Sequence, residues 1–367
     1  MRGLAFSPPR LVTDATNSSG PWWGGVVALS ETHALGYVPT RTIATTDGGH
    51  TWMTLSGWED DSREFGGLIG RAKASSFHND GADHVFISPT GKNANVTGVT
   101  SAKTIRFAIG PDGNFSRATD QAFSISGLPH LHGFRVGAAS ASMWLRDGTM
   151  LATSVTSGVG TARAGYLSVV TLRSRDGYKW SFGGVVASAD EVPYAHEGPS
   201  ENALAYLANG SLLCVMRVEG ESGHHSPYIS KVSDDEGRSW KHLRSLRAWP
   251  GADLAPGCVR PRLASLNGSL VLAGGRPSPT SHDILVWLNE KGDGDEWRPF
   301  SISYWHNRLS PNASWRMPTF NINVSRRLPR YTTSYTSLVQ TAPSAAYLVY
   351  GAGPHGFAMP MRLSSDS

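Results

Sequence analysis

Five aromatic residues, Trp52, Phe115, Trp180, Trp240 and Trp297, close short turns at intervals of 63, 65, 60 and 57 residues. Two of these turns are complete, "TTDGGHTW" at Thr45 to Trp52 and "SDDEGRSW" at Ser233 to Trp240. Each runs hydroxyl, any residue, Asp, any residue, Gly, two more residues, Trp. "SRDGYKW", ending at Trp180, lacks one residue, and "EKGDGDEW" and "GPDGNF" are degraded copies. A fixed period of this length marks a repeat architecture. A second repeat runs in step: "LRDGTML", "LANGSLL" and "SLNGSLV" turn at Asp147, Asn209 and Asn267, spaced 62 and 58 residues. Asp-Gly or Asn-Gly between alternating apolar runs predicts a two-residue hairpin with positive φ at both turn residues. Two hairpins in each period of about 60 residues make one four-stranded blade, and the chain holds about six periods. The expected fold is therefore all-β, a six-bladed β-propeller forming a single domain over residues 1–367.

The aspartate turn needs no substrate to explain it. Its carboxylate and hydroxyl can accept hydrogen bonds from turn amides. Its Gly takes a φ that a side chain would forbid, and its Trp can pack between neighbouring sheets. The turns identify a fold rather than a reaction.

Charge and composition exclude some functions. The net charge is +4 without a Lys/Arg block, which argues against a nucleic-acid partner. No apolar run approaches membrane-spanning length, and "MRGLAFSPPRLVTD" lacks the apolar centre of a signal peptide. Seven of the thirteen asparagines, Asn17, Asn95, Asn114, Asn209, Asn267, Asn312 and Asn323, head Asn-X-Ser/Thr sequons. Chance gives about two or three. The enrichment points to a secreted or lumenal glycoprotein whose true N-terminus lies upstream. Cys214 and Cys258 are compatible with a disulfide or with two small core residues. "GHHS" is not read as a metal site, since adjacent strand residues face opposite ways, and "GAGPHG" is not read as a nucleotide loop. No metal or cofactor is expected.

The hairpin turns serve as rulers. Glu201 lies eight residues before Asn209 and Arg217 eight after it, so the two fall nearly opposite each other at one end of a blade. Arg276 lies nine residues after Asn267, and Tyr335 eight before a turn expected near Pro343. The steps Arg217 to Arg276 and Arg276 to Tyr335 are both 59 residues, one blade each. A Glu, a Tyr and two Arg should converge at one end of the propeller axis.

These segments, with the aspartate turns, resemble the sialidase (neuraminidase) superfamily, whose six-bladed propellers carry such turns as Asp-boxes or BNR repeats. "SENALAYLANGSLLCVMR" is similar to the segment in which a glutamate precedes a substrate-binding arginine by sixteen residues, here Glu201 and Arg217. "SLVLAGGRPS" is similar to the segment carrying the last arginine of the family's triad, here Arg276. "TTSYTSLVQ" resembles the segment with the nucleophilic tyrosine, here Tyr335. The resemblance implies an exo-α-sialidase-like, retaining glycoside hydrolase acting on terminal sialic acid or another acidic sugar. Tyr335 would be its nucleophile, Glu201 its base, and Arg217 and Arg276 its carboxylate ligands. The chemistry fits, because guanidinium groups grip carboxylates bidentately and a neutral tyrosine is not repelled by the sugar's carboxylate.

The resemblance covers residues 140–350 well and fails near the N-terminus. The family's first arginine sits in Arg-Ile-Pro, for which "PPRLV" offers only Arg10. Asp14 and Glu31 are the sole acids between Arg10 and Thr45, and neither matches the family's acid loop. The glutamate expected after the tyrosine's hairpin is Gly351. Two readings stay open: an enzyme whose N-terminal blade is incomplete in this chain, and a catalytically impaired propeller of the same fold that binds glycans or proteins.

Overall fold

The computed structural model describes residues 2–13, most of 25–55, most of 141–275, and 283–317 and 335–364, with short strands between 67 and 135. Its strands form six sheets. Strands β1 (Gly3–Phe6) and β2 (Arg10–Thr13) belong to the last of these. The first sheet holds β3 (Gly25–Ala28), β4 (Ala34–Val38), β5 (Arg41–Thr45) and β6 (Met53–Thr54). The second holds β7 (Gly67–Ala72), β8 (Asp83–Ser88), β9 (Lys103–Ile109), β10 (Phe115–Arg117) and β11 (Gln121–Ala122). The third runs from β12 (Ser124–Ser126) and β13 (Phe134–Arg135) through β14 (Ser142–Trp144), β15 (Met150–Ser157) and β16 (Leu167–Ser174) to β17 (Lys179–Ala187). The fourth is β18 (Asn202–Tyr206), β19 (Leu212–Met216), β20 (Ile229–Ser233) and β21 (Lys241–Ser245). The fifth is β22 (Arg247–Ala248), β23 (Val259–Leu266), β24 (Ser269–Gly275), β25 (Ile284–Asn289) and β26 (Glu296–Ser301). The sixth is β27 (Thr336–Ala342), β28 (Ala345–Ala352) and β29 (His355–Ser364), completed by β1 and β2 against β29.

This is an all-β propeller. One strand of each sheet packs on its counterpart in the next: β3 on β7, β7 on β14, β14 on β18, β18 on β23 and β23 on β27. Strand β27 then packs back on β3, closing the ring. The two chain ends meet in one sheet, with Gly3 opposite Ser364 and Arg10 opposite Ala358. Radial closure of this kind leaves only short, protected sheet edges.

The core lies between neighbouring sheets rather than along the axis. One cluster joins Leu151 and Val169 of the third sheet to Leu212 and Cys214 of the fourth. Another joins Leu213 and Val215 to Leu270, Leu272, Trp287 and Trp297 of the fifth. Because each central strand is covered on both faces, β19 and β24 are buried at every residue instead of alternating. Cys214 is fully buried on β19, and Cys258 lies outside the described residues.

The aspartate turns act as sequence chemistry suggests. Thr51 donates its amide and hydroxyl to the two oxygens of Asp47, at 2.9 and 2.7 Å, and the Gly49 amide donates to Thr45 Oγ1 at 3.0 Å. The second turn repeats this, with the Ser239 amide and hydroxyl on Asp235 at 2.8 and 2.5 Å and the Gly237 amide on Ser233 Oγ at 2.7 Å. Desolvation alone would raise both carboxyls, but these bonds prevail and hold each at about 2. The closing aromatics pack backward: Trp52 meets Tyr347 of the sixth sheet edge-on, and Trp240 joins the cluster around Leu151 of the third.

The hairpins correct one expectation. At Asn267-Gly268 both residues have positive φ, 45° and 80°, as a two-residue turn requires. At Asp147-Gly148 and Asn209-Gly210 only the glycine does, and Leu207 donates to Ser211 O across a three-residue loop. Such loops end in a glycine bulge instead of a primed turn.

Candidate active site

Strand direction puts the aspartate turns and the Asn-Gly hairpins at one end of each sheet. The starts of β18, β23 and β27 therefore share the other end. Glu201 immediately precedes β18 and Arg217 immediately follows β19. The three-residue loop is centred on Asn209, so its register places the two directly opposite: the Arg217 amide donates to Glu201 O at 2.7 Å, and the Ser200 amide to Arg217 O at 2.9 Å. Their side chains meet as well. Arg217 Nη1 lies 3.0 Å from Glu201 Oε2, with the side chains 11% and 13% exposed. The other terminal nitrogen of Arg217 contacts Glu219.

Strand β23 supplies two residues that the sequence reading missed. The Arg260 amide donates to the same Glu201 Oε2, at 2.9 Å. Its guanidinium stands 5.7 Å from the centre of the Tyr335 ring, within cation–π range. Arg260 is 6% exposed. Burial depresses its pKa, and the Glu201 and Tyr335 charges oppose that depression. Arg262, two residues along the same strand, donates from Nε to Thr336 O at 3.3 Å and so ties β23 to β27 beside Tyr335. Its pKa falls well below the ordinary value, through burial first and then repulsion from Arg260. The group thus holds three guanidiniums against the carboxylates of Glu201 and Glu219, an excess of positive charge in a poorly solvated place.

The backbone carries strain here. Arg260 has φ 37°, in the left-handed region, and the β23–β24 register slips between Val259 and Arg262. A non-glycine residue in that region costs about 1–3 kcal/mol, and such strain gathers at functional sites. Below it, Thr153 of β15 donates its hydroxyl to Asn202 Oδ1, and Asn202 Nδ2 donates to Ser200 O at 3.2 Å. This buried link fixes the residues on either side of Glu201.

The structure brings Glu201 and Arg217 into contact and joins them through Arg260 to Tyr335. The turn expected near Pro343 is present, since β27 and β28 flank Pro343 and Ser344 and pair Ala342 with Ala345. Arg10 sits on the outermost strand of the sixth sheet, opposite Ala358; burial lowers its pKa, and the charge of Asp47 opposes that. Arg276, Asp14 and Glu31 lie outside the described residues. Arg260 was open to discovery, because it follows Glu201 by the same 59 residues that separate Arg217 from Arg276.

Among the described residues no group of His, Cys, Asp and Glu could hold a metal ion. No helix among them is long and apolar enough to cross a membrane. The one α-helix among the described residues, α1 (Ile302–Leu309), packs on β25, and its buried His306 bridges Tyr350 Oη at 2.6 Å and Trp315 O at 2.8 Å. Burial lowers the pKa of His306, which suits a structural role.

No protein-family profile matches the chain, and no curated protein matches it. Solved structures do. An α-L-arabinofuranosidase from Fusarium graminearum superposes with a TM-score of 0.60 at 15% identity, covering 98% of this chain and 96% of that one. A protein of unknown function from Dyadobacter fermentans gives 0.62 at 12% identity over 99% and 100%. The Trypanosoma rangeli sialidase gives 0.53 at 12% identity, covering 99% of this chain but 58% of the sialidase. At these identities the likeness shows the fold: an all-β propeller of the kind that glycoside hydrolases, sialidases among them, are built on.

Proposed function

We propose that this protein is a sialidase-like, retaining exo-glycoside hydrolase that removes a terminal acidic sugar, sialic acid by preference, from glycoconjugates. The observation that carries the reading is the contact of Glu201 with Arg217 and Arg260 at the axial end where Tyr335 begins β27. Each of the six sheets is then one blade, and the turns at Asp47 and Asp235 are Asp-boxes on the opposite end. Arg217 and Arg276 hold the substrate carboxylate. Tyr335 Oη attacks the anomeric carbon while its proton passes to Glu201, and the bond to the leaving oxygen breaks. Water then attacks the same carbon and loses a proton to solvent, while the departing Tyr335 oxygen takes its proton back from Glu201, so configuration is retained. The leaving oxygen of the first step takes its proton from solvent. The exposed sequons at Asn209, Asn267 and Asn312 favour a secreted or lumenal glycoprotein.

A second reading, a binding propeller without turnover, draws on the double engagement of Arg217. Both its terminal nitrogens already meet carboxylates, Glu201 and Glu219, which suits a fixed recognition surface. Fluorogenic α-sialoside and α-L-arabinofuranoside assays on the same protein separate the readings. The proposal expects turnover of the sialoside alone, abolished by Tyr335→Phe. Turnover of the arabinofuranoside alone would replace the acidic sugar by a neutral one. Saturable sialic-acid binding without turnover would establish the binding propeller.

A further inference from the structure

A second charged cavity lies on the aspartate-turn end, between the third and fourth sheets. It is an open cleft of about 480 Å³, within the range of about 300–1,000 Å³ that small-molecule sites occupy. Four cations line it: Arg173 at the end of β16, Arg175 and Lys179 from the turn leading to β17, and Arg238 from the aspartate turn of the fourth sheet. Two acids, Asp147 and Asp176, share the lining; each accepts a turn amide, and Asp147 also attracts Arg173 and Arg238. Asp147 accepts the Thr149 amide at 2.9 Å, and Asp176 the Lys179 amide at 2.7 Å. None of the four cations forms an ion pair with a carboxylate among the described residues.

Their arrangement is costly without an occupant. Arg173 gives Nη1 to Glu236 O at 2.6 Å, and its buried Nη2 meets no acceptor among the described residues. Burial and then the repulsion of Arg238 lower the Arg173 pKa, while Asp147, Glu236 and Asp235 act against that, so the two guanidiniums lie close enough to feel each other. Arg175, Lys179 and Arg238 are exposed and can turn toward a ligand. Guanidinium forks match planar or tetrahedral oxyanions, and lysine adds a point charge.

We propose that this cleft is a second binding site, for the carboxylate or sulfate groups of an acidic saccharide, separate from the Glu201 site at the other end of the sheets. That its occupant is a saccharide rests on the glycoside hydrolase reading. The site would hold a second part of an extended acidic glycan, or a neighbouring chain, while the axial end works on a terminus. Linking two weak sites in this way raises affinity without new contacts at either.

Calorimetric titration tests it with three probes: inorganic sulfate, a heparin-derived sulfated tetrasaccharide, and an unsulfated galacturonate tetrasaccharide. The proposal expects saturable one-to-one binding of at least one tetrasaccharide, the arm that binds telling sulfate from carboxylate recognition. The exposed triple variant Arg175→Gln, Lys179→Gln, Arg238→Gln should weaken it at least tenfold with an unchanged melting temperature. Asp147→Asn, which keeps the turn acceptor and removes a negative charge, should tighten it. Glu201→Gln should leave it unchanged, and sialoside turnover on the same samples reports the axial site independently. Binding of neither tetrasaccharide, binding indifferent to the triple variant, or binding lost in Glu201→Gln would each overturn the proposal. So would binding of sulfate alone, which would make the cleft an ion site only.

Discussion

Replacing Asp235 by alanine should destabilise the protein and leave the axial chemistry intact. The carboxylate accepts the amides of Arg238 and Ser239, at 3.0 and 2.8 Å, and the hydroxyls of Ser239 and Ser233, at 2.5 and 2.8 Å. Hydrogen bonds to a charged group contribute about 1.5–3 kcal/mol each when isolated, but four on one exposed carboxylate are not additive and water replaces part of them. An overall loss of about 2–3 kcal/mol follows. With an unfolding entropy of about 2.1 cal/mol/K per residue, that is a fall of about 3–4 °C in Tm for a chain of this length unfolding as one unit. Thermal unfolding followed by circular dichroism, beside kcat/KM on a fluorogenic sialoside below Tm, is the assay. The sign with pH is also fixed. The folded carboxyl is held at about 2, below its unfolded value, so its contribution is full above the unfolded pKa and disappears as pH falls toward 2. The difference between wild type and Asp235→Ala should therefore shrink across that window. An unchanged Tm, or lost turnover in a protein with native Tm, would refute the structural reading of the turn.

Gly237→Ala should cost about 1–3 kcal/mol, because Gly237 has φ 81° and a Cβ there would stand 2.9 Å from Leu151 Cδ2; urea unfolding measures it. Arg260→Gln should lower kcat/KM for an acidic substrate at least tenfold with little loss of stability, since the backbone amide on Glu201 remains; steady-state kinetics with a melting curve checks both. Arg217→Met should destabilise strongly, by about 3–5 kcal/mol, because Glu201 and Glu219 lose a shared partner in a poorly solvated place; chemical denaturation reads this. Arg10→Gln should leave kcat/KM within about twofold of wild type, since Arg10 lies on an outer strand opposite Ala358.

The repeat was the most legible feature, because every aspartate turn must supply the same acceptors to the same amides, and that fixes residue types at fixed spacing. The pair Glu201 and Arg217 was legible for a similar reason: antiparallel register depends only on where the hairpin turns. The loop type was not legible. Asn209-Gly210 and Asn267-Gly268 read alike, yet one closes three residues and the other two, since the glycine alone tolerates either turn. Alternation along β19 and β24 failed because covering both faces of a sheet removes the pressure for polar residues on one of them. Arg260 was less legible, because two arginines flanking a proline carry no motif of their own. The register slip at Val259 turns that segment into the end of a buried strand, and only the step of 59 residues from Glu201 marked it in advance.

The most direct test of the axial site is covalent trapping. Incubation with 2,3-difluorosialic acid, followed by intact-mass and peptide mass spectrometry, asks whether a glycosyl–tyrosine forms and where. A single adduct on the peptide carrying Tyr335, absent in Tyr335→Phe, is the predicted result. No adduct on a folded protein that turns over a sialoside, or an adduct on any other residue, would contradict the assignment of Tyr335 as the nucleophile.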